Sequence, residues 1–204
     1  TVAITILPVN DAPTGTSATV TATEDTTYTF TAANFGYADV EGEAMTGVRI
    51  DTLPAAGSLA LNGVAVTAGQ VVSVADISAG NLRFTPDADA NGAGYASFTF
   101  SVQNATGTDA APNTITVDVA AVNDAPFNTV PGAQSTIANA PITFSPANGN
   151  AISVSDIDGN TTVQVTLSVG SGTLTLSGTA GLTLNAGANG SSTMTYTGTV
   201  ANLN

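Results

Sequence analysis

The five residues Val9-Asn10-Asp11-Ala12-Pro13 return unchanged as Val122-Asn123-Asp124-Ala125-Pro126. The two copies lie 113 residues apart (124 − 11), and the opening sequence Thr-Val-Ala-Ile-Thr-Ile is matched by Thr-Ile-Thr-Val-Asp-Val at 114–119. Asn and Asp favour turns, and Pro denies the next strand a ladder hydrogen bond, so each copy is predicted to be a strand that runs into a linker. This period exceeds the roughly 20–50 residues of solenoid repeats, which predicts a tandem array of domains with separate cores.

The period predicts three parts. Residues 1–12 are expected to be the terminal strand and linker of a preceding module, residues 13–125 a complete module, and residues 126–204 a second module. Measured by the period, the second module should reach about residue 239 (126 + 113), so it is expected to lack about 35 residues and its last strands. Two explanations stay open: the protein continues, or a neighbouring copy supplies strands, with residues 1–9 as the candidate donor.

Short apolar–polar alternations separated by turn signals predict about seven strands in the complete module. Asn62-Gly63 predicts a tight hairpin, and residues 64–74 are predicted to continue the same sheet. Residues 76–80 predict one short helical turn, and residues 82–85 and 95–102 predict two further strands. This pattern over about 110 residues is typical of an all-β sandwich.

The second module repeats the first in register at three places. The matching segments are residues 28–31 with 142–145, 39–42 with 156–159, and 57–61 with 172–176.

The composition excludes several classes of function. The 204 residues include no Cys, Trp, Lys or His, and 15 acidic residues against Arg49 and Arg83 give a net charge of −13. Nucleic acids and anionic membranes both require basic clusters, so binding to either is not expected. The lack of Cys excludes a disulfide scaffold and thiolate zinc sites, and no apolar run is long enough for direct membrane insertion. The Thr-, Ser-, Val- and Ala-rich mixture is typical of extracellular β-domains.

Eleven of the fifteen acidic residues fall in turns or linkers rather than along strands. Oxygen ligands on flexible loops, without His or Cys, suit Ca²⁺, which takes about six to eight oxygen atoms. A solvated acidic surface is the alternative interpretation. The Asp-x-Asp/Glu-Gly loops at 39–42 and 156–159 repeat with the module, as the linkers do, which favours Ca²⁺ there. Neither interpretation is favoured for four other acids. These are Glu24, Asp25, Asp87 and Asp89.

An enzymatic function is not expected from this sequence. Asp87 and Asp89 could form a catalytic carboxylate pair, but the residues around them are turn-forming, and the chain has no His or Lys to complete such a site.

The linker resembles that of a known family. Asn-Asp-Ala-Pro after a terminal strand resembles the Asp-x-Asn-Asp-Asn-Ala-Pro linker of cadherins, and more closely the linker of cadherin-like and bacterial Ig-like tandem repeats in giant, type I secreted, RTX-adhesin-like surface adhesins. The acidic loop follows the linker Asp by 28 residues (39 − 11) and by 32 residues (156 − 124), as the cadherin Asp-Ala-Asp loop does at similar distance. Residues 86–92 are similar to the Pro-Asp-x-Asn-x-x-Gly turn of the bacterial repeats, and Glu24-Asp25 resembles the early Glu of that fold.

This resemblance implies a linear array of Ig-like, cadherin-like Greek-key β-sandwiches with Ca²⁺ at the junctions of neighbouring repeats. Asn104 stands where cadherins often have Asp, and the linker has fewer acidic residues than theirs, which implies one or two ions per junction rather than three. The ligands implied for the junction of the two modules are Glu24, Asp25, Asp87 or Asp89, the Asn123 carbonyl, Asp124, Asp156 and Asp158. The ligands implied for the upper junction are Asn10, Asp11, Asp39 and Glu41.

The resemblance further implies a Ca²⁺-stiffened repetitive extender segment of a large extracellular adhesin or matrix protein at the bacterial cell surface, which serves cell adhesion or biofilm formation. Its partners would be neighbouring repeats of the same chain. Two alternatives stay open: a self-assembling filament subunit completed by strands of other copies, and a glycan- or ligand-binding module. The last predicts an exposed aromatic row, for which Tyr37, Tyr95 and Tyr196 are candidates, although packing at the core or rim is the simpler prediction for them.

Overall fold

The computed structural model of the chain describes residues 9–159 and 162–204. The chain divides into two compact units, and the division falls after Val122. We call the part up to Val122 the first unit and the part from Asn123 to Asn204 the second unit. Residues 1–8, most of the predicted terminal strand, lie outside the described residues, so that strand stays a prediction.

The described part of the first unit forms short strands and one short α-helix. In chain order these are β1 Ala18–Thr23, β2 Tyr28–Thr29, β3 Gly47–Ile50, β4 Ser58–Leu61, β5 Val64–Ala65, β6 Val71–Ser73, α1 Val74–Ser78, β7 Leu82–Thr85, β8 Gly92–Gln103 and β9 Asn113–Ala120. A 3₁₀ helix, Ala32–Phe35, follows β2.

The strands described in the first unit form two sheets. One sheet has five strands in the order β1-β9-β8-β3-β6, and the other has four in the order β2-β7-β4-β5. Strands β3, β8 and β9 are antiparallel neighbours, whereas β1 runs parallel to β9. Both sheets contribute side chains to a single hydrophobic core. The all-β, Ig-like sandwich predicted from the sequence is therefore confirmed.

Aromatic side chains fill the centre of this core. Phe98 and Phe100 lie on the same face of β8, as period-2 alternation requires, and both are almost completely buried. Phe30 meets Phe98 edge-to-face with ring centroids 5.5 Å apart. Phe35 meets Phe100 in the same way at 5.0 Å. Such edge-to-face pairs are a preferred aromatic geometry, so these rings hold the two sheets in a specific packing.

The hairpin and strand predictions are confirmed in part. Leu61 pairs with Val64 across Asn62 and Gly63, which both have positive φ angles, as a two-residue hairpin turn of this kind requires. The strand predicted at 82–85 is β7, with identical bounds.

The prediction that residues 64–74 continue one sheet is wrong. Strand β5 pairs with β4 in the four-stranded sheet, whereas β6 pairs with β3 in the five-stranded sheet. A turn between them, with a positive φ at Gly69 and a hydrogen bond from the Gln70 N–H to the Thr67 carbonyl, carries the chain across the sandwich. The helical turn predicted at 76–80 begins two residues earlier as α1, because the Ser73 side chain accepts a hydrogen bond from the Asp76 N–H and caps the helix there.

The described part of the second unit contains fewer strands than that of the first. Its described elements are β10 Phe127–Thr129, a 3₁₀ helix Pro146–Asn148, β11 Ser153–Ser155, β12 Thr162–Ser168, β13 Thr183–Gly187, β14 Thr193–Thr199 and α2 Val200–Leu203. Strands β10 and β11 form one antiparallel pair, and the other sheet has the order β12-β14-β13.

Local structure repeats between the units where the sequence repeats. Residues 28–31 and 142–145 each lead into a 3₁₀ helix, and each helix ends at a left-handed glycine, Gly36 or Gly149. The isolated bridge between Thr14 and Ala38 has its counterpart in the β10–β11 pair, where Phe127 lies opposite Ser155.

The pair β12–β14 corresponds to the pair β3–β6. Each pair is antiparallel, and the second strand of each leads directly into a short helix capped by a hydroxyl side chain, from Ser73 in α1 and from Thr199 in α2. Gly47 lies opposite Ser73, and Thr162 lies opposite Thr199, which aligns β3 with β12 residue by residue. Strands β7, β8 and β9, which follow α1, have no counterpart after α2 within the described residues of the second unit.

Candidate metal centre

The first linker is hydrogen-bonded to the acidic loop of its own unit. The Asp11 N–H donates to Glu41 Oε2 at 3.2 Å. The Asn10 side-chain amide donates to the Asp11 carbonyl at 3.0 Å and to Thr106 Oγ1 at 2.7 Å. The structure thus brings Asn10, Asp11 and Glu41 together at one end of the first unit.

Asp39 lies in the same loop, and neutral donors engage both of its oxygens. Oδ1 accepts the Glu43 N–H at 2.8 Å, and Oδ2 accepts the Asn104 side-chain amide at 2.9 Å. Burial, and then the negative charge of Asp39, raise the pKa of the neighbouring Tyr37 hydroxyl. Asp39 therefore shapes the loop in addition to adding negative charge to it.

Asn104 contacts Asp39 of the acidic loop, a role that the sequence did not reveal beyond a departure from the cadherin pattern. It is buried, and its Oδ1 accepts the N–H groups of Thr106 and Gly107 at 3.0 and 2.7 Å. This local bonding is the Asx turn that Asn favours, and the Asn-x-Thr-Gly sequence is its signal. The turn aims the Asn104 amide at Asp39.

The second linker repeats the contacts of the first within the second unit. The Asp124 N–H donates to Asp158 Oδ2 at 2.7 Å, and the Asn123 side-chain amide donates to the Asp124 carbonyl at 2.8 Å. Asp156 accepts the Asp158 N–H at 3.1 Å through Oδ1, which fixes the loop that carries Asp158. Four predicted ligands are therefore brought together in this unit, through the same linker-to-loop bond.

Glu24 occupies the other end of the first unit, where β9 ends. Its side chain is 1% exposed. One carboxylate oxygen accepts the Asn91 side-chain amide at 2.8 Å, and the other accepts the Val122 N–H. A buried carboxylate is unfavourable unless hydrogen bonds or a positive charge offset its loss of hydration. The two groups that donate hydrogen bonds to the Glu24 carboxylate, from Asn91 and Val122, are both neutral.

Asp25 and Asp89 lie beside this end of the unit on two exposed turns. Both residues have positive φ angles, 56° and 55°, which Asp tolerates better than most residues. The Asp89 N–H donates to Asp25 Oδ1 at 3.2 Å, so the two turns are held together.

Asp87 is engaged elsewhere. Its Oδ2 accepts the Gly57 N–H at 3.1 Å and the Tyr95 hydroxyl at 2.8 Å. The Gly57 hydrogen bond, and then the Tyr95 hydroxyl, hold the pKa of this exposed carboxyl below its ordinary value. The sequence left open whether Asp87 or Asp89 faces Glu24-Asp25, and of the two it is Asp89 that contacts Asp25.

The three candidate tyrosines for a glycan-binding row have other contacts. The Tyr37 hydroxyl donates to the Glu43 carbonyl at 2.7 Å, Tyr95 packs against Phe84 with ring centroids 6.4 Å apart, and Tyr196 is buried. All three tyrosines therefore pack at the core or its rim, as the simpler prediction has it.

The donor set of both units is made of oxygen atoms. Carboxylates and carbonyls on turns match the coordination that Ca²⁺ prefers, and the sequence has no His or Cys to attract zinc or copper. The residues present therefore fit a Ca²⁺ ion.

Comparison with known proteins identifies the family. No curated protein and no solved structure matches the chain significantly. Among the described residues, no helix is long and apolar enough to cross a membrane. The family described as "Bacterial Ig domain" matches residues 10–119, more than half of the chain, starting at the first linker. The chain belongs to this bacterial Ig domain family, whose members are non-catalytic structural modules common in surface proteins.

Proposed function

We propose that this chain is a Ca²⁺-stiffened extender segment of a large extracellular adhesin or matrix protein. The observation that carries the proposal is the repeated linker-to-loop bond, from the Asp11 N–H to Glu41 and from the Asp124 N–H to Asp158. This hydrogen bond is repeated in each module, and it involves the linker residues that join one module to the next. The repetition supports a functional role for the linkers.

The ion would be held by oxygen atoms near the linkers. At the first linker the available carboxylates are Asp11, Asp39 and Glu41. At the second linker they are Asp124, Asp156 and Asp158, and the chain reaches that linker directly from Val122, whose N–H is bonded to Glu24. Because the named hydrogen-bond partners of the buried Glu24 are neutral, a cation at this end would offset its loss of hydration.

The proposed mechanism is mechanical. A bound ion would join linker and loop carboxylates that otherwise repel one another, so the hinge would lose its freedom to bend. Extracellular Ca²⁺ modules bind with dissociation constants of roughly 10⁻⁴ to 10⁻³ M, so such a site fills outside a cell and empties inside one.

Small-angle X-ray scattering tests the proposal on the whole chain. We expect the maximum dimension in 2 mM Ca²⁺ to exceed that in chelator, while the circular dichroism spectrum stays unchanged because the cores depend on apolar burial. Mg²⁺ at the same concentration serves as the charge control, since it binds all-protein oxygen sites poorly. An unchanged maximum dimension, together with no heat of Ca²⁺ binding in calorimetry, would refute the proposal.

Two variants give the experiment a matched control. Asp124→Asn keeps the side-chain shape but removes one linker charge, and it should reproduce the effect of the chelator at millimolar Ca²⁺. Asp118→Asn removes one charge within β9, where the carboxylate accepts only the Gly94 N–H among the bonds identified, and it should leave the Ca²⁺ response intact. Equal effects of the two substitutions would show that the Ca²⁺ response depends on the net charge of the chain and not on a specific binding site.

A further inference from the structure

The two ends of the first unit meet in one pair of strands. Strand β1 lies at the edge of the five-stranded sheet, and its one neighbour among the described strands is β9. The two strands run parallel over six residue pairs, from Ala18 opposite Ile115 to Thr23 opposite Ala120. The first linker precedes the start of β1, and the second linker follows the end of β9. Tension along the chain therefore acts at opposite ends of this pair.

This geometry decides how the pair would break. When parallel strands are pulled from opposite ends, they slide past each other, and the evenly spaced hydrogen bonds of the ladder share the load. When the strands are pulled from the same end, the bonds carry the load one after another. The isolated bridge between Thr14 and Ala38 adds a single residue pair upstream of β1. The longer β1–β9 ladder is therefore the stronger connection along the line of tension.

A buried carboxylate closes the pair at its start. Asp109 is 8% exposed, and its Oδ2 accepts the Gly15 N–H at 2.7 Å and the Asn113 side-chain amide at 2.8 Å. Its Oδ1 accepts the Ala111 N–H at 3.0 Å. Because Gly15 precedes β1 and Asn113 begins β9, one carboxylate holds both strands. A Cβ on Gly15 would lie 2.7 Å from the Asn113 amide nitrogen, so glycine permits this close approach.

A second buried carboxylate closes the pair at its end. Glu24 directly follows β1, and its N–H donates to the Ala120 carbonyl at 3.0 Å. Its carboxylate accepts the Val122 N–H, just after β9, and the Asn91 amide at 2.8 Å. Hydrogen bonds to a charged group are stronger than those between neutral groups, and breaking one inside a protein leaves a buried group unsatisfied. The two carboxylates therefore strengthen the pair where tension enters it and where tension leaves it.

We propose that Asp109 and Glu24 are load-bearing locks, which make the β1–β9 pair the element that resists mechanical unfolding of the first unit. Asp109 holds the end of the pair that the first linker loads, and Glu24 holds the end that the second linker loads. The proposal rests on the extender function proposed above, because an extender transmits tension. The locks themselves do not require Ca²⁺, since the contacts named for both carboxylates come from the chain.

The absence of Cys allows handles to be attached at chosen points for single-molecule pulling of the whole chain in chelator. Handles at Ala12→Cys and Ala121→Cys pull the pair from opposite ends, along the natural path. Handles at Thr26→Cys and Ala121→Cys pull it from the same end. All three positions are exposed. We expect the unfolding force along the natural path to be at least twice that of same-end pulling, and equal forces would overturn the proposal.

Variants of the locks give the decisive contrast, because forced unfolding is governed by the unfolding rate. Asp109→Asn places an amide donor among the N–H groups that the carboxylate accepts, and it should raise the unfolding rate at constant force at least tenfold along the natural path. In same-end pulling the Asp109 bonds break last, so the rate should change less than twofold.

Glu24→Gln should raise the unfolding rate at least threefold in both directions, because the Glu24 bonds are loaded in both. A tenfold effect of Asp109→Asn in both directions would show a general loss of stability and would overturn the proposal. Unchanged rates of both variants along the natural path would overturn it as well.

Two further variants serve as a milder test and a control. Gly15→Ala keeps the carboxylate but displaces the flexible Asn113 amide, so it should show the same dependence on direction as Asp109→Asn, with a smaller effect. Asp87→Asn is the matched control, because Asp87 also accepts a backbone N–H and a side-chain donor but lies outside the β1–β9 pair. It should change the rate less than twofold, and an effect equal to that of Asp109→Asn would contradict the locks. Since the pulling is done without Ca²⁺, failure of the locks would leave the scattering test of the proposed function unaffected.

Discussion

The two units contain matching local sequences, but matching side chains differ in how deeply they are buried. Phe30 and Phe144 occupy matching positions before matching 3₁₀ helices, yet Phe30 is 0% exposed and Phe144 is 41% exposed. In the first unit the ring of Phe30 packs against Phe98 of β8. The second unit has no described counterpart of β8, so the same side chain lacks the surface that would bury it.

Strand formation differs between the units for the same reason. Among the described residues, strand β2 has one neighbour, β7, and β4 pairs with β5 and β7. Residues 142–143 and 173–176, their counterparts, are rich in Ile, Leu and Thr but do not form strands. By contrast, β3 and β6 pair with each other, and their counterparts β12 and β14 do form strands. β-propensity is context-dependent, and here the presence of a partner decides the outcome.

The largest expected difference between the units concerns their matching Phe residues. Phe30→Ala should cost about 3–5 kcal/mol in the unfolding free energy of the first unit, because it leaves a cavity in a closed core. Phe144→Ala should cost the second unit less than about 1 kcal/mol, because the ring is partly solvated already. Hydrogen exchange read separately for each unit of the whole chain measures both. Comparable losses would show that Phe144 is as well covered as Phe30.

The glycines that end the two 3₁₀ helices should show a smaller difference. Both are left-handed, but a Cβ on Gly36 would lie 2.7 Å from the Thr16 Cβ, whereas a Cβ on Gly149 would meet nothing within 4 Å. Gly149→Ala should therefore cost about 1 kcal/mol for the backbone alone, and Gly36→Ala roughly 2–4 kcal/mol because a clash is added.

Asn variants separate the two causes. Asn tolerates the left-handed conformation, so Gly149→Asn should be close to neutral. Gly36→Asn should remain destabilising, because its Cβ still meets Thr16. Chemical denaturation monitored separately for each unit measures the loss of unfolding free energy in each Asn variant. Equal losses at Gly36 and Gly149 would show that the clash with Thr16 does not contribute.

Much of the fold of the first unit could be predicted from its sequence. The Asn62-Gly63 hairpin and the bounds of β7 follow from turn chemistry and alternation, which are local signals. The division of residues 64–74 between two sheets could not be predicted, because strand pairing is a long-range property. The 3₁₀ helix Ala32–Phe35 was missed, although Asn34 accepts the Thr31 N–H at 2.7 Å and Thr-x-x-Asn is its local signal.

The sequence predicts which residues belong to the candidate site more readily than it predicts the contacts among them. The resemblance to cadherin-like repeats grouped Asp11 with Glu41 and Asp124 with Asp158, although the bonds that join them run through backbone N–H groups that the sequence does not reveal. Sequence could not separate Asp87 from Asp89, because the choice depends on Tyr95 and Gly57 on other segments.

The smallest expected difference is in pH dependence at the helix caps. Asp76 of α1 corresponds to Asn202 of α2, and each donates its N–H to the hydroxyl three residues before it. The hydrogen bond from the Ser73 hydroxyl, and then that from the Asn81 amide, lower the pKa of the half-buried Asp76 carboxyl, and burial opposes them only in part. Because the folded pKa is depressed, the cap stabilises the first unit above the ordinary pKa of 3.8 and loses this contribution as pH falls through the lower folded value. Asn202 does not titrate, so the α2 cap should be insensitive to acid.

Hydrogen exchange of the amides at the start of each helix, compared at pH 5 and pH 3 after correction for intrinsic rates, measures this contrast. We expect acid to reduce the protection of the Asp76 amide and leave that of the Asn202 amide unchanged. Asp76→Asn should remove the pH response of α1, because the Asn side chain keeps its shape but cannot ionise. The acid response of Asp87, whose pKa is lowered by Gly57 and Tyr95, should persist in that variant and serve as the internal control. A pH response in α1 that survives Asp76→Asn would mean that the carboxylate does not control the cap.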